Sequence, residues 1–96
     1  MSMTGERAAA ERAETLALQA LAYIAADEER FQRFLASTGT TPDDVRARAG
    51  DSDFLAGVYD HMLADEALLV AFADTAGIAP EKIAAARYRL PGAVMD

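Results

Sequence analysis

The chain is predicted to be all-α, a compact bundle of about six short helices, and three observations point there. Alanine, the strongest helix former, supplies 23 of the hydrophobic side chains in a chain of 96 residues that is 52% hydrophobic. Larger apolar residues recur three and four positions apart, the period of a helix face, and no long stretch alternates as a half-buried strand would. Asp, Thr, Pro and Gly fall between the apolar runs in the order in which helices begin and end.

That punctuation repeats. Shifted by 38 positions, residues 14–49 align on residues 52–87 without a gap. Ala26, Asp27 and Glu28 meet Ala64, Asp65 and Glu66; Phe34 meets Phe72, Gly39 meets Gly77, Pro42 meets Pro80, and Ala47 meets Ala85. Similar residues fill further pairs, among them Leu16/Phe54, Ile24/Met62, Phe31/Leu69 and Val45/Ile83. Convergent helix grammar alone produces some of this likeness. The spacing nevertheless holds through three successive helices, so we expect two tandem three-helix repeats packed about an approximate two-fold axis. Residues 1–96 are read as a single domain, with repeat one at 14–49, repeat two at 52–87, and loose ends at 1–5 and 92–96.

The first helix is expected from about Thr4 or Glu6 to Ala25. Glu6 to Ala13 carries no large apolar residue, so that part is expected to fray. Leu16, Ala17, Ala20, Leu21 and Ile24 then share one face. Asp27 caps a second helix over 28–38, with Glu28 and Glu29 suited to the dipole of its first turn. Phe31, Phe34 and Leu35 face inward, and Gly39 supplies the left-handed stop. Thr41 caps a third helix, Pro42 opens it, Val45 and Ala49 are its core contacts, and Gly50 ends it.

The second copy follows the same scheme. Asp51 or Ser52 caps a fourth helix that buries Phe54, Leu55, Val58 and Met62. Asp65 caps a fifth that buries Leu68, Leu69, Phe72 and Ala76, and Gly77 ends it. Pro80 opens the sixth with Ile83 inward, and Ala79 is a poor cap there. Pro91 and Gly92 stop the regular structure.

Charge and composition exclude several classes. The net charge is −7 and the isoelectric point is near 4.5, so phosphate backbones are repelled and nucleic acid is not an expected partner. Arg30, Arg33, Arg46 and Arg48 alternate with Asp27, Glu28, Glu29, Asp43 and Asp44, which reads as a solvated face. Cysteine is absent, which removes disulfides, thiolate metal sites and cysteine nucleophiles. No apolar run suits a signal peptide or approaches the roughly 20 residues of a membrane helix, so a cytoplasmic protein without membrane contact is expected.

Several motifs together resemble one family. They are Phe34-Leu35-Ala36-x-Thr38-Gly39, Asp53-Phe54-Leu55, Asp65-Glu66-x-Leu68-Leu69-x-x-Phe72 and Pro80-Glu81-x-Ile83-x-x-Ala86-Arg87-x-x-Leu90-Pro91-Gly92. From about residue 12 to 92 the chain is similar to the domain of unknown function 3572 family, short helical proteins of alphaproteobacteria. The resemblance implies a bacterial cytoplasmic protein. It carries no activity, cofactor or catalytic residue with it.

The residues themselves offer little chemistry. His61 is the single histidine, and Asp65 lies one helical turn on, a spacing at which two side chains can share a metal ion. Natural sites usually want a third protein ligand, and a capping role explains Asp65. Ser37 and Ser52 lie in no nucleophile motif, the acidic pairs all fall at helix starts, and no glycine-rich phosphate loop occurs. No catalytic residue, cofactor or metal is therefore assigned, and no enzyme is expected. The expected role is a protein–protein interaction or regulatory module, binding a protein partner or forming a homodimer. The alternative is a small enzyme or metal-binding protein centred on His61 and Asp65. Leu18, Val70, Tyr88 and Leu90 are the candidate interface residues. Leu18 and Val70 lie off the core stripe of their helices, and Tyr88 and Leu90 fall in an apolar helix end that includes Val94 and Met95. Burial in a wide helix face is the competing reading for them. Tyr23, Tyr59 and Tyr88 are read as interface anchors or as edge residues with hydroxyls in water.

Overall fold

Helices begin and end where the sequence supplies caps and breakers. The computed structural model describes residues 3–90. It contains α1 (Met3–Ala25), α2 (Glu28–Thr38), α3 (Pro42–Arg48), α4 (Ser52–Leu63), α5 (Glu66–Ala76) and α6 (Pro80–Arg87). Among the described residues there is no strand. Residues 3–5 continue α1, while residues 1–2 and 91–96, with Val94 and Met95, lie outside the described residues.

The caps are those the sequence supplies. The Asp27 carboxylate accepts the Arg30 N–H at 2.9 Å, a bond that holds its pKa below the usual carboxylate value. Asp65 accepts the Leu68 N–H at 3.2 Å in the same way. Thr41 and Asp44 form a reciprocal capping box. Gly39 and Gly77 end α2 and α5 at φ 70° and 69°, a left-handed geometry that a Cβ disfavours. One cap differs from expectation. Asp51 holds the N-cap position of α4 without a side-chain cap bond, and the Ser52 hydroxyl donates instead to Glu14 on α1.

The helix bounds carry the 38-residue period: α5 is α2 shifted by 38, and α3 and α6 open on the equivalent Pro42 and Pro80. The packing does not repeat with them. α4 packs against α1, α2, α5 and α6, and α6 packs against α4, α5 and α1, whereas α3 has no neighbour contact of similar extent. A side-chain clamp accounts for part of the difference. Arg87 on α6 donates from Nε and Nη2 to the two Asp60 carboxylate oxygens on α4, at 2.8 and 3.3 Å. The positions 38 residues earlier are Ala49 and Ala22, which cannot make that bond.

The core is built of Leu21, Ile24, Phe34, Leu35, Val45, Phe54, Leu55, Val58, Met62, Leu68, Phe72 and Ile83, together with small alanines at 13, 17, 20, 56 and 73. Leu16, Phe31 and Leu69, expected inside, are partly buried and pack on its outside. The stretch Glu6 to Ala13, expected to fray, is helical. Its last residue is buried, and the Tyr59 hydroxyl donates to the Ala13 carbonyl at 2.7 Å. That bond draws the early turns of α1 onto α4. Tyr59 is therefore neither an anchor for a partner nor an edge residue: it is 1% exposed, and burial pushes its phenol up to about 12.

Candidate functional site

Two concavities bring chemically useful side chains together. The first is an open cleft of about 330 Å³ where α2 faces the α4–α5 corner, with Arg30, Arg33, His61 and Asp65 on its walls. α2 presents Arg30 and Arg33 one turn apart, and the last turn of α4 presents His61. The His61 ring stands edge-on against Phe34, 5.1 Å between centroids at 90°. Apolar contact of this kind disfavours the imidazolium. Burial accordingly lowers the His61 pKa, Asp65 opposes that shift, and Arg33 reinforces it.

Arg30 departs from the solvated face expected of it. It is half-buried, with its guanidinium carbon 4.2 Å from the centroid of the Tyr23 ring and Nη1 donating to the Tyr23 hydroxyl at 3.3 Å. Its Nε is buried without a hydrogen-bond partner among the described residues. Tyr23 in turn packs against Phe72 at 5.6 Å, so an aromatic pair holds the arginine in place. The neighbouring arginines keep to the surface: Arg46 pairs with Asp43 and Arg48 with Asp51.

The cleft does not make a metal centre. The Asp65 carboxylate is engaged at the start of α5. Among the described residues no group of three or more His, Cys, Asp or Glu side chains is placed to hold a metal ion. The His61–Asp65 spacing thus reflects a capped helix corner. A pH effect follows from the same geometry. The unfolded chain, with an ordinary histidine near 6.5, takes up a proton before the native state does. Stability is therefore full above that pH and declines as pH falls below it, until the lower native pKa is passed. NMR titration of the native protein is expected to give a His61 midpoint below 6.5. A midpoint above that value would contradict the packing against Phe34.

The second concavity is a groove of about 510 Å³ between α1 and α6. Its α1 wall is Ala9, Arg12, Ala13 and Leu16; its α6 wall is Lys82, Ala85, Ala86 and Arg89, which follows in the turn after the helix. Both walls follow the i, i+3, i+4, i+7 spacing of a single helix face. Small side chains leave the floor open. Arg12, Lys82 and Arg89 are exposed, and among the described residues none of them forms an ion pair.

The sequence-based interface candidates separate. Leu18, Val70 and Tyr88 are 42%, 50% and 53% exposed. Leu90 is 5% exposed: the turn after α6 folds it into the core, so it is no surface residue. The α1–α6 groove was not anticipated. Each wall is readable as a helix stripe, but nothing local in the sequence says that these two stripes face one another.

Among the described residues no helix is long and apolar enough to cross a membrane. The model of a family described as "Protein of unknown function (DUF3572)" matches residues 10–93. No curated protein matches the chain, and no solved structure matches it.

Proposed function

We propose that this chain, which belongs to the DUF3572 family, works in the cytoplasm by binding another protein rather than by catalysing a reaction. The observation that supports the reading best is the open α1–α6 groove, an apolar floor under exposed side chains that have no ion-pair partner within the described fold. Grooves between helices are common recognition surfaces for other proteins. The exposed Leu18 on α1 and Val70 on α5 add apolar surface suited to self-association, since apolar side chains left in water favour being covered.

Photo-crosslinking in cytoplasmic extract distinguishes the groove from these exposed positions. A photoreactive amino acid at Ala85 is expected to give a discrete adduct with a different protein. At Leu18 or Val70 the expected adduct is a second copy of the chain. An absence of adducts from all three positions would remove the basis for a binding role.

A further inference from the structure

We propose that the α1–α6 groove docks an acidic amphipathic helix of a partner protein, seated by its small apolar face and held by carboxylates on the groove's cationic rim. This rests on the protein-binding reading above and gives that partner a chemistry.

Three features of the groove converge on this occupant. The first is shape. One wall runs from Ala9 to Leu16 along two turns of α1, roughly 10 Å of axis, and the other from Lys82 through the end of α6 to Arg89 in the turn that follows it. A trough between two helix stripes matches the ridge of a third helix, which can lie along it as ridges lie in grooves. The second is the floor. Ala13, Ala85 and Ala86 bring backbone close to the surface, so a facing helix approaches near enough to exclude water from its apolar stripe. The third is charge. The chain carries −7 overall, yet the groove is lined by Arg12, Lys82 and Arg89 with no acidic side chain among its lining residues. Arg46, Arg48 and Arg87 already face carboxylates of this chain. The three groove cations face none among the described residues. A basic slot on an acidic protein selects carboxylates on the incoming partner, and the surrounding negative surface disfavours any partner whose acidic residues lie elsewhere. A nucleic acid meets the same rim but gains nothing from an alanine floor, and it is repelled by the remaining surface.

The test is selection of helical peptides displayed on phage against the full-length chain, followed by binding measurements on the enriched peptides. The expected winners carry Asp or Glu beside Ala or Leu at helical spacing. They shift the NMR signals of residues 9–16 and 82–89. Their affinity is expected to fall by about tenfold with R12E combined with R89E, and to be unchanged by Leu18→Ser with Val70→Ser. Circular dichroism of each variant verifies that the helices remain. Enriched peptides that are basic or uncharged, peptides that perturb other residues, or a selection without enrichment would each overturn the proposal. Enrichment on a chain ending at Leu90 but not on the full chain would overturn it too, by assigning the groove to residues 91–96. A dimer that the selected peptides dissociate would give the groove to a second copy. The crosslinking result separates the two levels: adducts at Ala85 without acidic selection would leave protein binding standing and remove only the helix chemistry.

Discussion

Replacing Phe34 with alanine is expected to lower stability by about 3–5 kcal/mol, the usual range for a buried aromatic cut back to a methyl group. Phe34 is fully buried and joins α2 to α4. Its ring meets Phe54 edge to face at 6.1 Å and His61 at 5.1 Å. Edge-to-face pairs add to the cost of lost burial. A domain of this size has a total stability of about 5–15 kcal/mol, so the variant stands near the limit of folding. Urea denaturation measures the effect directly, as a lower midpoint with an unchanged slope. The same substitution removes the ring packed against His61, so its midpoint is expected to rise back toward 6.5. A loss below about 1 kcal/mol would contradict the placement of Phe34 at the centre of the core.

Tyr59 separates packing from hydrogen bonding. Tyr59→Ala is expected to cost about 3–5 kcal/mol, whereas Tyr59→Phe keeps the ring and is expected to cost about 1 kcal/mol for the bond to the Ala13 carbonyl. The two variants should also differ in where they loosen the fold. Loss of the ring releases the early turns of α1 from α4, so amide exchange is expected to accelerate near Ala13 far more in the alanine variant. The phenol adds a pH signature of definite sign. Its native pKa is raised to about 12 from an ordinary 10, so its contribution is full below pH 10 and is lost as pH climbs through the interval above it. Alkaline denaturation of Tyr59→Phe is expected to lack that part of the decline. Equal costs for the two variants would mean that the hydroxyl, rather than the ring, holds this contact.

Much of the fold is legible because its signals are local. Asp27, Asp65, Thr41, Pro42, Pro80, Gly39 and Gly77 each act within one turn of their own helix, and they place the helix ends regardless of what lies across the bundle. Residues whose fate depends on a distant helix are harder. Tyr59 is buried because Ala13 lies opposite it, and Arg30 is half-buried because Tyr23 lies beneath it. Leu90 turns inward because the chain bends after α6. Leu18 and Val70, off the core stripe of their helices, and Tyr88, just after α6, are exposed among the described residues, an outcome the sequence left open against burial in a wide helix face. The same distinction governs the sites. His61 and Asp65 are visible as neighbours in the sequence, and so is the cap that engages Asp65, while the packing of His61 against Phe34 depends on a different helix. The α1–α6 groove needs both the helix stripes and the pairing of the first helix with the last, and that pairing is a property of the whole bundle.

The clamp between Arg87 and Asp60 has a dynamic consequence. α6 is eight residues long, and its N-cap makes no side-chain hydrogen bond, so little within the segment itself favours helix over coil. Its persistence comes from elsewhere: from Ile83 in the core and from the guanidinium held by α4. Transient detachment of this one segment therefore costs less than global unfolding. An occupant resting against it slows that breathing, because a ligand that engages only the closed form draws population towards it.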